Sequence, residues 1–198
     1  MPVTVLGLAG SQRKGGNTET LLDWCLEAAR AAGAEVTRFR LCDLDLHGCK
    51  ACEACRRTGV CVQKDDMEAL YPHLRGADSI VIASPIYFQG MPAVPKMMVD
   101  RCQPFWALKY VLQHRLVGPD RMPRLGAFLS CSGTTLPRAF EGSSLVVKTL
   151  WNMLEITSVG EVLRPGVDAK GEIKEQVDAR IAAEQVGRRL ASETERKG

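Results

Sequence analysis

The sequence predicts an α/β protein: a five-stranded parallel sheet in the order 2-1-3-4-5, with helices on both faces. Three observations carry the prediction. Apolar runs of strand length alternate with stretches of helical periodicity along the chain. One run, Ser79-Ile80-Val81-Ile82-Ala83, is apolar almost throughout, as a strand buried on both faces must be. A polar loop follows the first run and an aromatic turn the third, at the strand ends where a doubly wound sheet keeps its ligand.

Taken in order, Val5 to Ala9 is the first strand and stops at Gly10. The polar loop Ser11-Gln12-Arg13-Lys14-Gly15-Gly16-Asn17-Thr18 follows. The first helix is expected from about Thr18 to Ala32, with Leu22, Leu26 and Ala29 on one face and Gly33 as its left-handed stop. Val36 to Leu41 alternates as the second strand. A cysteine-rich loop spans about residues 42–64, and Asp65 or Asp66 can cap a short helix to about Leu74. Strand three is Ser79 to Ala83, and a helix begins at Pro95 and runs to Arg101.

Residues 104–123 read as irregular, rich in aromatic and basic residues and proline. Leu125 to Ser130 is strand four, Leu145 to Leu154 a helix, and Ser158 to Leu163 strand five. Val177, Ile181, Val186 and Leu190 recur at helical spacing in a closing amphipathic helix.

Composition bounds the function. The 198 residues, 45% of them hydrophobic, are expected to form one domain, 1–198. A net charge of +3, dispersed along the chain, argues against nucleic acid. No 18-residue apolar run exists to span a membrane, and MPVTVLG lacks the charged start of a signal peptide, so the expected compartment is the cytoplasm. Eight cysteines in such a chain read as reduced thiols or metal ligands.

The loop after strand one is an anion site by its chemistry. A helix start leaves N–H groups without partners and carries partial positive charge, and successive loop N–H groups can form a concave nest. Ser11, Asn17 and Thr18 add donors, while Arg13 and Lys14 add charge. Gly10 and Gly15 have the Walker A spacing, but Gly16 and Asn17 stand where that motif needs Lys and Ser or Thr. The dinucleotide fingerprint is absent as well. A terminal monophosphate fits better. GSQRKGGNT resembles the FMN-phosphate loop of the NADPH-dependent FMN reductase family, flavodoxin-like in fold.

That resemblance gives the other turns a reading. In Ser84-Pro85-Ile86-Tyr87-Phe88-Gln89-Gly90, Pro85, Ile86, Tyr87 and Phe88 can wall a flat ring, with Tyr87 or Phe88 stacking on it and backbone N–H groups meeting its edge. Ser132, Gly133 and Thr134, after strand four, offer small donors to the ring's polar edge.

Cys49, Cys52, Cys55 and Cys61 form C-x2-C-x2-C-x5-C. Structural zinc usually takes two separated pairs, so this spacing favours an iron–sulfur cube over zinc, with free structural thiols as the alternative. Cys25 and Cys102 read as core thiols. The run is similar to that of the iron–sulfur flavoprotein branch of the same family, and the likeness extends through CVQKDDM, SPIYF, FEGSSLVVKTL and GVDAKGEI. One departure stands out: many relatives are expected to carry Gly where this chain has Ala51.

The resemblance implies an FMN-dependent oxidoreductase with NAD(P)H as co-substrate or a reduced redox protein as donor. A quinone, a flavin or a ferredoxin-like protein would be the acceptor, with a possible [4Fe–4S] cluster. The alternative is an electron carrier without turnover of its own. A homodimer or homotetramer is expected from Phe105, Trp106, Tyr110, Val111 and Leu112, too apolar a surface for a monomer. Lys109, His114, Arg115 and Arg121 read as a solvated basic face.

Overall fold

The structure, a computed structural model, describes residues 2–118 and 121–192. Five strands form one parallel sheet: β1 (Thr4–Ala9), β2 (Glu35–Arg40), β3 (Ser79–Ala83), β4 (Arg124–Ser132) and β5 (Ile156–Pro165). Their order is β2-β1-β3-β4-β5, as the alternation of elements predicts. The helices are α1 (Asn17–Ala31), α2 (Cys55–Thr58), α3 (Met67–Gly76), α4 (Ala93–Asp100), α5 (Gln103–Trp106), α6 (Glu141–Met153) and α7 (Val177–Ala191).

Alternate side chains of the central strands feed two cores. Val5, Ala9, Val81, Ala83, Leu125 and Leu129 pack under α1 and α7. Leu6, Leu8, Ile80, Ile82 and Phe128 pack under α3, α4 and α6. A register slip of one residue would exchange these faces, so burial on both sides fixes the pairing. At the amino end of β4, the buried Arg124 donates to the carbonyls of Leu74, Ala77 and Leu154. It thereby fastens the carboxyl ends of α3 and α6, where helix dipoles favour a cation.

Several expectations need correction. Val177 and Ile181 are exposed, and the buried face of α7 is Ala179, Ala183, Val186, Gly187 and Leu190. Small residues win because α1 and α7 approach almost backbone to backbone: a Cβ on Gly187 would lie 2.0 Å from the Cys25 carbonyl oxygen. The helix expected from Leu145 begins four residues earlier, with Ser143 and Ser144 buried in its first turn.

Within 104–123, of which residues 119–120 lie outside the described ones, α5 continues into one π-helical stretch, Ala107–Val111. Phe105 is buried in the core and leaves the apolar patch, whereas Tyr110 and Val111 are exposed. The basic face disperses too. Lys109 donates to Asn152, and Arg121 to the carbonyls of Arg75 and Gly76 and to Asp78. Among the described residues, no helix is long and apolar enough to cross a membrane.

The α1–α7 contact makes a direct prediction. Gly187→Ala must push the two helices apart and should destabilise the protein by about 1–3 kcal/mol, read as a lower midpoint in urea unfolding. An unchanged midpoint would refute the close contact.

Candidate functional site

Two loop systems occupy the carboxyl edge of the sheet. In the first, β1 ends at Ala9 and α1 begins at Asn17, with no side chain capping that helix start. Its first N–H groups are therefore free to face an anion. Ser11, Arg13, Gly16, Asn17, Thr18, Pro85, Ile86, Tyr87 and Gly133 line a cavity of about 70 Å³ together with Cys131, Val167 and Asp168. Pockets for whole drug-sized ligands run to roughly 300 Å³ or more, so this cavity alone has room for only part of a cofactor.

Arg40, the last residue of β2, sets the loop's polarity. Its guanidinium donates to the carbonyls of Ser11 (2.9 Å) and Gln12 (2.8 Å), and to the carboxylates of Glu19 and Asp43. Glu19, buried in the first turn of α1, also accepts from the Gly15 N–H. The loop's carbonyls are thus drawn outward to Arg40.

The remaining predicted residues divide. Asn17 spends its side chain on the backbone of Ala169, Gly171 and Ile173, anchoring the loop after β5. Arg13 donates to the Asp168 carbonyl, and its guanidinium lies 3.7 Å from the Asp168 carboxylate. Gln12, Phe88, Gln89, Gly90, Ser132 and Thr134 are not in the cavity wall. Tyr87 and Gly90 exchange two backbone hydrogen bonds of 3.0 Å, with Phe88 and Gln89 both left-handed between them. This tight turn carries Phe88 fully into solvent, away from the cavity that Tyr87 lines.

The second system is the cysteine loop. Cys49, Cys52, Cys55 and Cys61 line one cavity of about 300 Å³, with Lys50, Arg56, Arg101 and Trp106 also in its wall. No group of three or more His, Cys, Asp or Glu among the described residues is arranged to hold a single metal ion. Burial, and then the nearby sulfurs of Cys61, Cys49 and Cys52, push the Cys55 thiol up. Cys55 thus stands within electrostatic reach of the other three sulfurs, and all four line the same space. A four-thiolate donor set around such a space suits a multi-iron cluster.

Ala51 (φ 50°) and Glu53 (φ 59°), on either side of Cys52, are left-handed. A non-glycine residue in that conformation costs roughly 1–2 kcal/mol, which is why glycine suits the position of Ala51.

Sequence reasoning missed the residues that hold this loop. Arg101 and Asp65, almost wholly buried, form an ion pair. Asp65 also accepts from the N–H groups of His47 and Met67, the latter being the cap expected of it. Burial alone would raise the Asp65 carboxyl, but these bonds, Arg101's first among them, hold it at about 2. The pair's contribution is complete above about pH 4 and is lost as pH falls toward 2. No local pattern announces Arg101, which sits between Asp100, the last residue of α4, and Cys102.

With the geometry described, the class is clear: a flavodoxin-like α/β protein. Residues 3–138 match the NADPH-dependent FMN reductase family, and the chain belongs to it. An iron–sulfur flavoprotein of Methanosarcina thermophila is 34% identical over 130 residues, a match covering 66% of this chain and 63% of the relative. The match thus spans less than two thirds of that protein's length. An iron–sulfur flavoprotein of Archaeoglobus fulgidus is 28% identical over 193 residues, covering 97% of this chain and 80% of the relative. The resemblance read from GSQRKGGNT and the cysteine run therefore holds for family and branch. The NAD(P)H:quinone oxidoreductase structure from Methanothermobacter marburgensis shares the fold with a TM-score of 0.70, at 18% identity and 96% coverage of each chain.

The thiols divide into two chemical groups, which alkylation can read. Burial pushes the thiols of Cys25, Cys102 and Cys131 up to about 12. At pH 8 roughly one in ten thousand of such thiols is ionised, and the thiolate is the nucleophile. In metal-free protein, iodoacetamide should modify the exposed Cys49 and Cys52 first and spare those three until denaturant is added. Peptide mapping checks the order; early modification of Cys25, Cys102 or Cys131 would contradict their burial.

Proposed function

We propose that this chain is an FMN-dependent oxidoreductase that takes electrons from NAD(P)H or a reduced redox protein. It delivers them to a quinone, flavin or ferredoxin-like acceptor, with a [4Fe–4S] cluster on Cys49, Cys52, Cys55 and Cys61. The observation that carries the reading is an uncapped helix start beside a small donor-lined cavity, on the same sheet edge from which the four-cysteine loop departs.

The residues present suit a phosphate monoester. The first N–H groups of α1 and the hydroxyls of Ser11 and Thr18 would hold its oxygens, with Arg13 supplying charge. Arg40 keeps the Ser11 and Gln12 carbonyls turned away from the anion. Pro85, Ile86 and Tyr87, in the same wall, would orient the ring and exclude water from one side of it. When bound, FMN supplies hydride and electron acceptance at its ring, and the cluster supplies one-electron storage. The basic side chains around the cysteine cavity, Lys50, Arg56 and Arg101, offset the thiolates' charge.

A second reading, an electron carrier between redox proteins, is favoured by the exposure of Cys49 and Cys52. Steady-state oxidation of NADH or NADPH by the purified protein separates the two, since a pure carrier shows none.

Anaerobically purified protein should release FMN, not FAD, on denaturation; no flavin even after reconstitution would overturn the reading. Arg13→Ala should weaken FMN binding about 10- to 100-fold while leaving the exposed loop and the fold intact, because one charge-assisted hydrogen bond contributes ~1.5–3 kcal/mol. Unchanged affinity would remove Arg13 from the phosphate site. Serine in place of any one of Cys49, Cys52, Cys55 or Cys61 should lower iron and acid-labile sulfide per chain yet leave FMN bound. Iron content indifferent to all four substitutions would exclude them as ligands.

A further inference from the structure

Arg101 has a position that loop anchoring alone does not explain. One face of its guanidinium closes the cysteine loop: Nη1 donates to the carbonyl of His47 (2.9 Å), where the loop departs, and to Asp65, where it ends. Nη2 reaches Asp65 Oδ1 (3.0 Å) and the Gln63 carbonyl (3.5 Å). The same Nη2 lies 3.6 Å from Cys61 Sγ, within hydrogen-bonding distance of sulfur. Arg101 is thus a fixed cation against one sulfur of the four, its side chain 1% exposed. Tyr71 fixes its backbone, donating from its hydroxyl to the Arg101 carbonyl at 2.7 Å.

If anchoring were the whole role, apolar packing would serve as well, because buried ion pairs are often no more stabilising than hydrophobic residues of the same volume. What a hydrophobic residue cannot supply is charge and an N–H at the sulfur. Hydrogen bonds to ligand sulfurs and net charge near a cluster are among the factors that set its reduction potential.

We propose that Arg101, through its contact with Cys61, is a positioning residue that raises the reduction potential of the cluster held on the four cysteines, with Asp65 tempering its charge. The proposal rests on the cluster reading given above. The couple concerned is a one-electron change of the cluster, the electron coming from an added chemical reductant and returning to an added oxidant. Arg101 stays protonated and no bond to it forms or breaks. A cation beside the sulfur stabilises the reduced, more negative state, and the Asp65 carboxylate opposes this. The two side chains should therefore act with opposite sign.

The experiment compares anaerobic wild-type protein with R101K and D65N. Each is assayed for iron, sulfide and FMN per chain and for folding by circular dichroism, then titrated with dithionite while the cluster's spin signal is followed. In R101K a flexible ammonium replaces the fork that reaches Cys61 and Asp65 together. With iron and FMN retained, its cluster should be about tenfold harder to reduce at fixed potential, a midpoint lower by about 59 mV for a one-electron couple.

D65N keeps the guanidinium at the sulfur and removes the opposing carboxylate, so its midpoint should rise. An unchanged R101K midpoint, or a shift of both variants in one direction, overturns the tuning role. Loss of iron from R101K with FMN retained also overturns it, leaving Arg101 a scaffold of the loop. Wild-type protein without iron or sulfide after reconstitution instead overturns the cluster reading itself, before either variant is considered.

Discussion

Parallel pairing is the constraint from which the rest of this molecule follows. All four strand pairs run the same way, so every strand ends on one edge and each helical crossover between strands returns the chain to the other. Because β1 lies between β2 and β3, the loops leaving β1 and β3 fall side by side. Ser11, Arg13, Gly16 to Thr18 and Pro85 to Tyr87 meet there with Cys131 and Gly133 at the end of β4 and with Val167 and Asp168 from beyond β5. The cysteine loop leaves β2 on that same edge. At the opposite edge, Arg124 gathers the carboxyl ends of α3 and α6, and Asp78 binds the backbone and hydroxyl of Thr4. Chemistry is confined to one side and closure to the other.

Two arginines do comparable work at that edge. Arg40 ends β2 and Arg101 follows α4, and each binds two carbonyls of a neighbouring loop and pairs with a carboxylate. A loop held this way has its carbonyl oxygens drawn to the arginine, so its N–H and S–H groups are left for whatever occupies the cavity. Each arginine is also bound by need to its partner. Removing one member of a buried ion pair strands the other and costs about 3–5 kcal/mol. Asp65, its side chain fully buried, would be stranded in that way, whereas Glu19 would keep Arg38 at 3.2 Å.

Most of the framework was readable because it depends on neighbouring residues. Ser79 to Ala83 could only be a strand buried on both sides, and it is. Gly33 was expected to stop the first helix, and it is left-handed at the end of α1. Grouping of the four cysteines followed from their spacing. What escaped depends on distance along the chain or on residue size.

Asp43 apart, Arg40 contacts residues 21 to 29 positions away, and the Arg101 side chain residues 36 to 54 away, so no window of sequence contains these interactions. The face of α7 was misjudged because Ala179, Ala183 and Gly187 carry little hydrophobicity, yet only small side chains permit the approach of α1. Phe88 read as part of the ring wall because it is aromatic. Its left-handed backbone, invisible in composition, turns it to solvent.

The central claim is spatial: the edge bearing the phosphate cradle also bears a cluster cavity, and the two are separate. Anaerobic crystallography of the purified protein, with data collected at the iron absorption edge, tests it in a single measurement. The account predicts anomalous density inside the cavity lined by Cys49, Cys52, Cys55 and Cys61, and a flavin phosphate at the start of α1 beside Ser11 and Thr18. Iron bound elsewhere, or a flavin phosphate seated away from residues 11–18, would contradict it.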